Sequence, residues 1–224
     1  MVGNFIILIF AVSKQQTMLQ TNTYHQKNYK DSIYKEQARQ RIVPFTKDCK
    51  IGASLSGTSF KTEQKLDHMQ DIIAFEKDKK EYQIGTDILK QMQSNNICSN
   101  VSFLHGSIFN INPTEFDFIN FDLTNVVSNM TINILLTKLQ WFKGTVFITL
   151  AERIRNCGIL DQLDDYLETV SGNRAKDMKE LARVSFPKII QAHTDLKLVD
   201  IFPYANKDIS AKATPMIQLG FKNM

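Results

Sequence analysis

The chain has 224 residues, 43% of them hydrophobic, 10% aromatic and 22% charged, with a formal net charge of +4. That composition is too apolar for a disordered chain, and the length suits one ordinary domain with a sizeable core. Three scattered cysteines without a C-x-x-C pair argue against a disulfide scaffold or zinc ribbon and fit a reducing, cytoplasmic setting, while lysine outnumbers arginine 21 to 6, against a protein built on arginine forks.

Val2–Val12 is almost wholly apolar but too short to span a bilayer, and no basic residue precedes it. It reads as an added strand, a hydrophobic partner contact or the product of a start codon upstream of the true one. No later run of eighteen apolar residues follows, so no membrane span is expected. From Lys14 to Lys50 eight Lys/Arg face three acids, and the other residues sum to about neutral. This segment 14–50 is either a solvated helix face or the one place where nucleic acid is engaged. Residues 17–41 are polar, lack Gly and Pro, and space Tyr24, Tyr29, Ile33, Ala38 and Ile42 as one helical face that Pro44 closes.

Beyond Pro44 the pattern alternates. CKIGASL (49–55) predicts a strand, SGTS (56–59) a turn and Phe60–Met69 a helix; DIIAFE (71–76) predicts a buried strand and Lys77–Met92 an amphipathic helix. VSFLHG (101–106), FDFINFD (116–122) and GTVFITL (144–150) read as further strands, with a helix over Thr131–Phe142. Two helices are expected over Leu160–Val170 and Ala175–Ala192, then a hairpin from LKLVDIFPYA (196–205) and TPMIQLGF (214–221). The expected fold is therefore α/β: a doubly wound, mostly parallel sheet with a C-terminal antiparallel hairpin, residues 1–46 forming an N-terminal apolar stretch and basic helix, and 47–224 the sheet domain.

Such sheets bind ligands at the carboxyl ends of their strands. Four places qualify. Gly52–Ser59 lets the backbone approach a ligand, with helix-opening amides for an anion, or is only a turn. Glu76, nineteen residues past Gly57, is spaced to accept hydrogen bonds from two ribose hydroxyls, or starts a helix as an exposed acid. His105 and Ser107 follow the third strand, where a base would be contacted or a surface histidine would sit. Asp122, with Asn120, Thr124 and Asn125 nearby, can accept a hydrogen bond from an attacking amine, or Asp122 or Thr124 caps a helix. No metalloprotease, EF-hand or nucleophile-elbow motif is present, no metal site is expected, and no cysteine follows a proline.

In this order CKIGASLSGTS, IIAFEKD, VSFLHGSIF, FDFINFDLTN and GTVFITL resemble successive motifs of the class I S-adenosylmethionine-dependent methyltransferases, and LKLVDIFPY and TPMIQLGF their sixth and seventh strands. The first motif is degenerate, lacking the usual acid and a G-x-G core. The resemblance implies seven strands, with S-adenosylmethionine held by Gly52, Ser54, Ser56, Gly57 and Thr58, its ribose by Glu76, its adenine at His105–Ile108 with Ser107, and catalysis at Asp122 and Asn120. FDFINFD is similar to the fourth motif of tRNA guanine-N2 methyltransferases, which implies an exocyclic amine in nucleic acid, RNA before DNA. The alternatives are an inactive methyltransferase-like binding or regulatory subunit, and a small-molecule methyltransferase with the N-terminal helix as a lid.

Overall fold

The computed structural model describes residues 32–55, 57–126, 129–152, 171, 173–205, 207 and 213–224. The apolar stretch Val2–Val12, the first part of the expected helix 17–41, the expected helix Leu160–Val170, and Ser56 lie outside the described residues.

Five runs rich in β-branched and aromatic residues become parallel strands: β1 (Ile51–Leu55), β2 (Asp71–Glu76), β3 (Val101–His105), β4 (Phe118–Val126) and β5 (Thr145–Ala151). The terminal runs form β6 (Leu196–Ala205) and β7 (Pro215–Asn223), and β7 enters antiparallel between β5 and β6. The seven-stranded order is β3-β2-β1-β4-β5-β7-β6, as the mostly parallel, doubly wound expectation requires. Strand order reverses at β1, which lies between β2 and β4. Edge strand β6 carries a register shift between Leu198 and Asp200, and includes Pro203.

Because side chains alternate across a strand, the sheet builds two cores. Ile119, Phe121, Ile148 and Leu219 share one with Leu135 of α3 (Asn129–Leu139) and Phe186 and Ile190 of α5 (Phe186–His193). Phe118, Phe147 and Ile72 share the other with Ile42 of α1 (Ile33–Ile42) and Leu89 of α2 (Lys79–Gln93). The expected single helix over Ala175–Ala192 is α4 (Arg174–Glu180), a π-helical turn at Leu181–Ser185, then α5. Pro187 accounts for the turn, since it has no N–H for the carbonyl of Arg183 and its ring crowds that carbonyl.

The expected helix Phe60–Met69 is not formed. Phe60 adopts φ 49°, and the segment closes through i→i+3 bonds, Leu66 N–H to Glu63 O and Met69 N–H to Leu66 O, around a single 3-10 turn at Glu63–Lys65. Burial of Phe60, Leu66 and Met69 overrides a helix-like composition. Gly52 makes this packing feasible: a Cβ there would lie 3.0 Å from the Met69 methyl and 3.2 Å from Phe118. The strand expected at 116–122 runs instead from Phe118 to Val126. Its start is set by Asp117, whose carboxylate accepts the amides of Lys50 (2.8 Å) and Ile51 (3.1 Å).

On α1, Glu36 holds Lys65 at 2.6 Å and Arg39 at 3.5 Å. The hydrogen bond from Lys65 outweighs desolvation and lowers the Glu36 pKa. A depressed folded pKa means stability that is present above the unfolded value of about 4.3 and lost as pH falls through the folded one. Glu36→Gln should therefore cost at most about 1 kcal/mol at pH 7 and nothing once Glu36 is protonated in both the folded and the unfolded chain, as denaturant titrations at neutral and acid pH would measure.

Candidate functional site

The register brings the carboxyl ends of β1, β2, β3 and β4 to one edge. Leu55 pairs with Phe75, Glu76 with His105, and Ser54 with both Ala74 and Asn120. Glu76 therefore stands one residue beyond the last β1–β2 pair, beside the turn that begins after Leu55. Its Oε1 accepts the Asp78 amide at 2.8 Å, which orients the carboxylate, and its Oε2 has no hydrogen-bond partner among the described residues. Asp78 caps α2 by accepting the Lys80 and Glu81 amides, and those bonds hold its carboxyl below the usual range.

His105 donates from Nε2 to the Lys77 carbonyl at 3.2 Å and lies 5.2 Å from the Tyr82 ring, so it is fastened to the start of α2. Ser107 uses its hydroxyl to accept the Phe109 amide at 3.3 Å. Gly57 is exposed, with nothing within 4 Å of where a Cβ would be, and Thr58 is half-buried beside it. Gly52 and Ser54, by contrast, are buried within β1 and face the core rather than the edge. The helix-opening amides expected after the turn are not formed, because among the described residues no α-helix lies between β1 and β2.

Asp122 and Asn120 lie two residues apart on β4 and so share the face that α1 covers. Asp122 is the last residue of the regular β4–β5 ladder, opposite Thr149, and does not cap α3, which begins at Asn129. Its carboxylate is paired with Lys35 of α1 at 3.4 Å. Asn120 is 2% exposed; its Nδ2 donates to Ser54 Oγ at 3.4 Å, and its Oδ1 has no partner among the described residues. Between α1 and this face lies a cavity of about 10 Å³ lined by Lys35, Arg39, Asn120, Asp122, Tyr204 and Gln218, among others. Gln218, opposite Thr149 on β7, is 3% exposed, and its Oε1 likewise has no partner among the described residues. Burial, and then the nearby Asp122 charge, push the Tyr204 hydroxyl pKa well up.

Sequence reasoning did not single out Lys35, Tyr204 or Gln218, whose roles depend on distant elements meeting. It also passed over Glu152, just past β5, which is buried and receives a forked pair of hydrogen bonds from Arg183 of the π-helical turn at 2.6 and 2.9 Å. The only hint was an acid directly after the β5 run. Of the basic segment, Lys14, Lys27 and Lys30 lie outside the described residues; Lys35, Arg39 and Arg41 pair with Asp122, Glu36 and Asp200. Arg41 also sits 5.0 Å over the Phe202 ring. No helix among the described residues is long and apolar enough to cross a membrane.

No family model matches the sequence, and no curated protein does. Solved structures do match in fold. The N-methyltransferase NodS of Bradyrhizobium japonicum, crystallised with S-adenosyl-L-homocysteine, has a TM-score of 0.52 at 12% identity, over 87% of this chain and 89% of that one. The methyltransferase domain of bacterial CtHen1-C has a TM-score of 0.53 at 14% identity, over 84% of this chain and 98% of that one. TYW2 of M. jannaschii, crystallised with AdoMet, has a TM-score of 0.50 at 12% identity, over 88% and 80% of the two chains.

Proposed function

We propose that this chain, which has the Rossmann-like fold of S-adenosylmethionine-dependent methyltransferases, binds S-adenosylmethionine and methylates an exocyclic amine in nucleic acid, RNA before DNA. The observation that carries the cofactor assignment is Glu76: a carboxylate at the end of β2, oriented through one oxygen and with the other unpartnered among the described residues, beside the exposed Gly57 turn at the strand-order reversal. The donor set fits the group. Glu76 would accept from the ribose hydroxyls, Gly57 and Thr58 would line its approach, and the segment from His105 to Ser107 would border its base. Ser56 belongs to the same proposed set; Gly52 and Ser54 would support the turn from within β1. When bound, the cofactor supplies an activated methyl group.

The chain's own part in transfer would be positioning. Asp122 would accept a hydrogen bond from the substrate amine and direct its lone pair, with Asn120 beneath it. The substrate assignment draws support from the sequence pI of about 8.8 and the basic segment 14–50, with Lys47 and Lys50 exposed. Calorimetric titration of the full chain with S-adenosylmethionine tests the cofactor assignment: saturable binding is expected, and none would overturn it. Transfer of a labelled methyl group to total RNA, weakened by salt, is the expected second result. Transfer only to small molecules would move the assignment to that class, and binding without transfer to any substrate would favour a regulatory subunit.

A further inference from the structure

The cavity under α1 is a built polar site with an unmet demand. Asn120 and Gln218 both line it, and their side-chain oxygens, Asn120 Oδ1 and Gln218 Oε1, have no hydrogen-bond donor among the described residues, although the two residues are 2% and 3% exposed. Buried carbonyl oxygens without donors are rare, because desolvation without a replacement bond is costly. The register fixes why both face the same space: Asp122, Thr149 and Gln218 form one row across β4, β5 and β7, and Asn120 stands one step along the same face.

We infer that this cavity holds one structural water, which donates its two hydrogens to Asn120 Oδ1 and Gln218 Oε1 and so ties the β4 and β7 faces together beneath α1. A volume of about 10 Å³ matches a single water. Simple ions are opposed from both sides, a cation by Lys35 and Arg39 and an anion by Asp122. Tyr204 also lines the space and brings a hydroxyl that would donate to the water's oxygen. A water suits either orientation of the Asn120 amide, since it both donates and accepts.

A crystal structure of the full chain that resolves ordered water tests this directly. One peak within hydrogen-bond distance of Asn120 Oδ1 and Gln218 Oε1 is expected; an empty cavity, or protein donors turned onto both oxygens, would overturn the inference. Gln218→Met gives a second readout with opposite signs for the two cases. If the water is present, losing its acceptor should lower the melting temperature by about 2–4 °C. If the cavity is dry, removing an orphan acceptor should leave the melting temperature unchanged or raise it, which would count against the water.

Discussion

Gly144→Ala is expected to destabilise the chain by about 3–4 kcal/mol, a melting temperature lower by roughly 6–16 °C for a domain of this size. A Cβ at position 144 would lie 2.1 Å from the backbone oxygen of Asp117 and 2.6 Å from the Phe142 ring. The oxygen cannot simply yield, because it accepts the Thr145 amide at 2.8 Å, while the Asp117 amide donates to the Ile51 carbonyl and its carboxylate accepts the amides of Lys50 and Ile51 at the start of β1. The starts of β1, β4 and β5 therefore meet at one residue, and a methyl group pushed into it moves all three. Gly57→Ala is the control, since nothing lies within 4 Å of its added Cβ; it should change stability by no more than about 0.5 kcal/mol. Denaturant melts of both variants make the comparison, and equal stabilities would show that the three strand starts are not held as described.

The second large effect is on binding. Glu76→Ala should weaken S-adenosylmethionine by about 1–3 kcal/mol, or about 5–150-fold, in calorimetric titration, through loss of the ribose acceptors. Its effect on stability should be small, because the only described hydrogen bond made by the carboxylate is the local one from Asp78. Glu76→Gln keeps one oxygen acceptor and should fall between wild type and Glu76→Ala. An unchanged affinity in Glu76→Ala would remove the carboxylate from the ribose role while leaving the fold untouched.

The strands were legible because continuous β-branched and aromatic runs have few alternatives in a sheet covered on both faces. DIIAFE, GTVFITL and the two terminal runs all become strands close to where the pattern predicts them. Phe60–Met69 was not legible, because Lys61, Glu63, Gln64 and Lys65 favour helix while the outcome turned on tertiary burial and on the space Gly52 leaves for Met69. Asp122 was read as a strand end, yet β4 continues to Val126, with only the regular pairing to β5 stopping there. Glu76 and His105 could be placed at the ends of β2 and β3 because a strand's last residue is visible locally. The polar cavity could not, since Lys35, Tyr204 and Gln218 meet Asn120 only after α1 and the hairpin have docked on the same face.

The register shift in β6 bears on strand addition at the margin of the sheet. A ten-residue outer strand would offer a long row of free amides and carbonyls to a second chain. Here that row is bent between Leu198 and Asp200, lacks a donor at Pro203, and carries the exposed charge of Lys197 near its start. At the other margin β3 is only five residues long. Among the described residues, neither margin is a flat template for strand addition.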